Sequence, residues 1–148
     1  MSKKEKKVVD ALAKLLADSY ILHLKTQNYH WNVTGPSFNS LHTLFQTQYE
    51  DLALANDDIA ERIRALGEKA PGSYAAFSKI AAVKEEKGYP GAAQMLKNLL
   101  KDQEALVKSA ETVLRAAQDI GDEPTVDLAI QRQQVHQKNH WMIKAHLE

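Results

Sequence analysis

Apolar positions fall into four runs with helical spacing, separated by glycine and proline. Val8, Leu12, Leu15, Leu16 and Leu22, with Ser19 on the same stripe, predict a first helix from about residue 5 to the Asn32 region. Gly35-Pro36 ends it, because proline lacks an amide donor and its ring clashes with the preceding turn. Phe38, Leu41, Phe45, Leu52, Ile59, Ile63 and Leu66 form the second run, with Ser37 as N-cap and Gly67 as C-terminal stop. At ~1.5 Å per residue that helix is roughly 45 Å long, enough to span a bundle and still show a second face to a partner. Gly67, Pro71, Gly72, Gly88 and Pro90 mark a long connection over 67–90, in which Tyr74, Phe77, Ile80 and Ala81 suggest a short helix. Met95, Leu96, Leu99, Leu106, Val113 and Ala117 carry the third helix, which Gly121-Asp122-Glu123-Pro124 interrupts before a fourth continues through Val126, Ile130, Gln133, Ile143 and Leu147. Two short links and one long crossover make this an all-α four-helix bundle with antiparallel neighbours.

Composition narrows the class. The 148 residues suit a single domain over 1–148, and a hydrophobic share of 44% suits a folded core. Lysine plus arginine total 19 against 19 acids, so any nucleic-acid or membrane partner would need a local patch. The absence of cysteine excludes disulfides and thiolate metal sites. No stretch approaches the ~20 apolar residues of a membrane span, and Met1-Ser2-Lys3-Lys4-Glu5 lacks the apolar core of a signal peptide. A cytoplasmic protein without a membrane partner is expected. Lys3, Lys4, Lys6 and Lys7 oppose the helix dipole, so residues 1–7 are expected to form a short mobile arm.

Chemistry concentrates between Lys25 and Arg62. The Gly35-Pro36 reversal places His30, at the end of one helix, near His42, at the start of the next. Asp57 and Glu61 are one turn apart and share a face of the second helix. Within one chain the two pairs cannot meet: about four turns separate His42 from Asp57, roughly 22 Å, against metal–ligand bonds of about 2 Å. Two copies packed antiparallel about a two-fold axis would bring the histidines of one to the carboxylates of the other. Imidazole with carboxylate suits iron, zinc or manganese, and iron is the first choice.

The run His30-Trp31-Asn32-Val33-x-Gly35-x-x-Phe38-x-x-Leu41-His42, continued by Asp57-x-x-x-Glu61-Arg62, resembles the signature of the Dps mini-ferritins, the DNA-protection-during-starvation proteins. The resemblance extends over the whole chain in length and helix order. It implies the ferritin-like fold, a hollow dodecamer built from two-fold dimers, and inter-subunit ferroxidase sites formed by His30, His42, Asp57 and Glu61. There Fe(II) would be oxidised, preferably by hydrogen peroxide, and stored as Fe(III). DNA is the further partner that it implies. A larger ferritin with its di-iron site inside the bundle is set aside, since no glutamate here has a histidine three residues on.

Several residues carry competing readings. The family usually has an acid four residues after the second histidine, where this chain has Gln46; a neutral amide predicts one weakened iron position, with Glu50 one turn further as a candidate substitute. Trp31 reads as a core aromatic, or, by resemblance, as a residue beside the iron that absorbs stray oxidising equivalents. Asp122 and Asp127, with Asp119 nearby, fall where the family places its acidic pores, although Asp122 also reads as a helix cap. His136 and His140 are one turn apart but match no functional position, so a structural role is expected. The lysine arm reads as solvated, or, repeated over a shell, as a DNA contact by counterion release. The alternative function is therefore a DNA-compacting shell in which Gln46 has weakened or abolished iron oxidation.

Overall fold

In the computed structural model, which describes residues 1–148, the first helix starts earlier than the lysine pattern suggested. The Ser2 side chain accepts a hydrogen bond from the Glu5 amide at 3.1 Å, and α1 runs over Lys3–Asn32. Lys3, Lys4, Lys6 and Lys7 thus lie in the opening turns of a helix and not in a separate arm over 1–7. The hydroxyl cap and Glu5 in the first turn offset the unfavourable placement of cations.

Helix α2 covers Phe38–Ala65. Ser37 occupies its N-cap position, but the hydroxyl makes no capping bond. The other end closes as the sequence suggests: Gly67 takes φ +97°, its amide donates to Arg64 O, and the Glu68 amide donates back to Ile63 O. Ser73 caps the short α3, Tyr74–Ile80, and α4 spans Ala92–Asp119. Gly121, at φ +70°, repeats the Gly67 closure. Helix α5 runs over Glu123–Ala145, with Pro124 inside its first turn, where the missing amide has no intrahelical partner to lose.

α1 packs against both α2 and α4, α4 packs against α5, and α2 touches α5 along a short seam. The α1–α2 and α4–α5 hairpins therefore meet chiefly through α1 against α4. The core is continuous, with Leu12, Leu22, Phe45, Leu52, Leu99 and Leu106 among its fully buried side chains. No helix is long and apolar enough to cross a membrane.

Buried charges on α1 fix the path of the crossover. Asp18, with no exposed surface, accepts from the amides of Ala82 at 2.7 Å and Val83 at 3.0 Å, from Ser109 Oγ at 2.6 Å and from Lys14 Nζ at 2.8 Å. Lys25 Nζ donates to Lys84 O at 2.8 Å and pairs with Asp102 at 2.9 Å. The Tyr29 hydroxyl donates to Glu86. A charge removed from water is tolerated only when it is paired and hydrogen-bonded, so these contacts leave the segment little freedom to run elsewhere.

Candidate metal centre

Tight reversal at Gly35, which adopts φ +111°, brings the last turn of α1 against the second turn of α2. His30 Nδ1 donates to the carbonyl of His42 at 2.6 Å, and His42 Nδ1 donates to the carbonyl of His30 at 2.7 Å. A carbonyl only accepts, so both Nδ1 atoms carry the hydrogen, and in the neutral tautomer that this selects Nε2 is the nitrogen with the lone pair. The rings stack with centroids 3.8 Å apart and planes 11° from parallel, and Phe38 stacks on the far side of His42 at 5.0 Å. Each ring is oriented by a backbone contact on Nδ1, which leaves Nε2 as the atom that could take a metal.

Asp57 and Glu61 stand exposed on the distal half of α2. The Asp57 charge, and then its hydrogen bond, raise the pKa of Glu61 above the ordinary carboxylate value. Two carboxylates crowded on one helix face favour an arriving cation, which relieves their repulsion. No group of three or more histidine, aspartate or glutamate side chains in the chain is placed to hold a metal ion. The donors come as two incomplete halves, two nitrogens at one end of α2 and two carboxylates towards the other.

A model of the ferritin-like domain matches residues 9–148. The DNA protection during starvation protein 2 of Bacillus anthracis is 34% identical over 142 residues, covering 96% of this chain and 97% of that relative. A crystal structure of a Dps protein from Bacillus brevis superposes with a TM-score of 0.96 at 30% identity, covering 100% of this chain and 99% of that one. The chain belongs to the Dps branch of the ferritin-like family. A further Dps structure, from Vibrio cholerae O1 and described as a member of a broad superfamily of ferritin-like diiron-carboxylate proteins, matches with a TM-score of 0.93 at 31% identity, covering 98% of this chain and 91% of that one.

Against this Dps framework the remaining residues sort themselves. Gln46 Nε2 donates to Glu50 Oε1 at 2.9 Å, so Glu50 is engaged by that amide. Trp31 is not a core residue: it is 60% exposed and borders a cleft of about 450 Å³ with Asn28, Glu86 and Tyr89. Asp122 acts as the N-cap of α5 and binds Arg62 at 3.0 Å, whereas Asp127 stays exposed on a shallow cavity with Glu123. Lys4 pairs with Asp119 at 3.4 Å and Lys6 with Asp10 at 2.9 Å, so part of the lysine charge is met within the chain.

His136 and His140 point to different partners. His136 is fully buried; its Nδ1 donates to Gln103 Oε1 at 2.7 Å and its Nε2 accepts from Arg132 at 3.2 Å. His140 faces Glu104 at 3.0 Å. Burial, and then the Arg132 charge, hold the His136 pKa well below its ordinary value. Asp18, Lys25 and Arg132 were missed as structural residues. Their one signal is a charged side chain falling on the apolar stripe of its helix.

Proposed function

We propose that this protein sequesters iron: it oxidises Fe(II) with hydrogen peroxide at sites shared between two copies of the chain, and stores Fe(III) inside a hollow dodecameric shell. The observation that carries this reading is the division of the candidate donors, with His30 and His42 oriented through Nδ1 at one end of α2 and Asp57 and Glu61 unpaired by any cation towards the other. A two-fold axis crossing α2 between the pairs turns two half-sites into two complete ones. Two nitrogens and two carboxylates suit Fe(II), which is the substrate.

Each Fe(II) gives one electron, so two reduce one peroxide: 2 Fe²⁺ + H₂O₂ + 2 H⁺ → 2 Fe³⁺ + 2 H₂O. The histidines hold the ion through neutral nitrogens, and the carboxylates balance the charge that rises on oxidation. Gln46 supplies no charge, so one iron position binds tightly and the second weakly. Asp127 with Glu123 forms the acidic approach, and Asp122 serves the fold. Removing Fe(II) and peroxide together protects the cytoplasm from hydroxyl radicals, in keeping with relatives named for DNA protection.

The test is complementation. A His30→Ala, His42→Ala chain and an Asp57→Ala, Glu61→Ala chain are each inactive alone. Co-assembled at equal amounts, random pairing leaves one intact site in each mixed dimer, about a quarter of native iron oxidation. A mixture as inactive as its parents would sink the shared site.

A DNA-compacting shell with little iron oxidation is the second reading, favoured by the Gln46–Glu50 contact. It requires a salt-dependent DNA gel shift that disappears when residues 1–7 are deleted.

A further inference from the structure

An unbroken ladder of rings leaves the histidine pair and crosses to the crossover. His30 meets the edge of Tyr49 with centroids 5.2 Å apart, and Tyr49 meets His23 at 5.8 Å. His23 meets Tyr20 at 6.0 Å, and Tyr20 meets Tyr74 of α3 at 5.9 Å. The pattern arises because residues 20, 23 and 30 share the face of α1 turned to α2 and α3. Burial lowers the His23 pKa, so no fixed positive charge interrupts the series at neutral pH. Trp31 is absent from this ladder; its indole stands in the cleft on another face of α1, beside Tyr89.

Aromatic contacts at these spacings pack a helix interface well, but packing alone does not call for three phenols, with His23 between the first two, on a line that starts at a candidate iron site. Phenol is the readily oxidised member of the set, imidazole the resistant one. From this placement we infer that Tyr49, not Trp31, is the first residue to take up oxidising equivalents that escape the iron site, and that Tyr20 and Tyr74 carry them away to the crossover.

This inference rests on the iron-oxidation reading and concerns its failures. When a single Fe(II) meets peroxide, Fe²⁺ + H₂O₂ → Fe³⁺ + HO⁻ + HO•. Tyr49 then gives one electron to the radical, which becomes HO⁻, while the phenolic proton converts one hydroxide to water and leaves Tyr49–O•. Tyr20 restores Tyr49 by passing one electron across His23, its phenolic proton going to water while the Tyr49 phenolate takes a proton back from water. Tyr74 restores Tyr20 in the same way across their direct ring contact. A thiol reductant in solution closes the sequence: Tyr74–O• + RSH → Tyr74–OH + RS•. None of these tyrosines binds the metal, so each is a relay and not a catalytic residue.

The experiment uses the assembled protein, loaded anaerobically with Fe(II) at less than one ion per site and mixed with peroxide. Fe(III) absorbance, freeze-quench electron paramagnetic resonance and peptide mapping of oxidised side chains are read on the same samples. In the native protein a tyrosyl signal appears and oxidation maps to Tyr49, Tyr20 and Tyr74. Tyr49→Phe keeps the ring and the Fe(III) rise but loses the tyrosyl signal and the marks on Tyr20 and Tyr74. Trp31→Phe changes none of these. Oxidation confined to Trp31, or a tyrosyl signal that survives Tyr49→Phe, overturns the relay. A flat Fe(III) trace in the native protein overturns the iron-oxidation reading and the relay with it, and is distinguishable because absorbance and radical are recorded together.

Discussion

The two ends of α2 solve opposite problems with the same backbone. Near its start, His42 and His30 satisfy each other: two Nδ1–H groups, two carbonyls and two stacked rings leave nothing but the Nε2 lone pairs unspent. Further along, Asp57 and Glu61 are crowded, exposed and mutually repelling. One end is ordered by reciprocal hydrogen bonds, the other crowded and acidic. Geometry is prepaid at the nitrogen half, while affinity is stored as repulsion at the oxygen half. Neither half alone supplies both, which is why the proposed pairing of two copies would be chemically productive.

The largest break in this contrast is Asp57→Asn. Losing even an outer-shell partner of a metal ligand costs 10–100-fold in affinity, so removing a ligand charge should weaken Fe(II) binding by at least about 100-fold in a calorimetric titration. The same change relieves repulsion in the metal-free protein, so its melting temperature should not fall and the Glu61 pKa should drop towards the ordinary carboxylate value. A fall in both binding and melting temperature would show that the acidic end is structural.

His30→Ala breaks the opposite end, and here binding and stability should fall together. The His42 carbonyl loses its side-chain donor and the His42 ring loses its stacked neighbour, a cost of about 1–3 kcal/mol by chemical denaturation. Gln46→Glu sharpens the contrast by returning charge one turn from His42. The weak iron position should tighten by about 10-fold, visible as a second tight Fe(II) per site, and the bond that engages Glu50 should be lost.

The smallest effect lies away from both ends. His136 is held neutral by burial and Arg132, with its pKa well below the ~6.5 of an unfolded chain. The unfolded state therefore binds the extra proton first. The contribution of His136 is complete above pH about 6.5 and is lost as pH falls from there towards the folded value. The melting temperature of the native protein should drop between pH 7 and 5 more steeply than that of His136→Gln.

How much of this was legible in the sequence follows the range of each interaction. Helix ends were readable because Gly35, Gly67 and Gly121 act on the few residues beside them. The two pairs of candidate donors were readable for the same reason: His30 and His42 flank one reversal, and Asp57 and Glu61 share one turn. Asp18, Lys25 and Arg132 were not, because their partners Val83, Asp102 and Asp51 lie between 65 and 81 residues away in the chain. Lys3 to Lys7 misled in the other direction: the cations argued for fraying, and a single hydroxyl at Ser2 outweighed them. The face of α1 that holds Trp31 was hidden too, since its cleft is made by residues of the crossover.

Because α1 supports α2, α3, the crossover and α4, it cannot come loose until most of the molecule has. Helix α5 is held chiefly by α4, with Arg62 and Asp51 as its polar ties to α2. In hydrogen–deuterium exchange the amides of α1 should therefore persist to the global limit, while those of α5 exchange through partial opening.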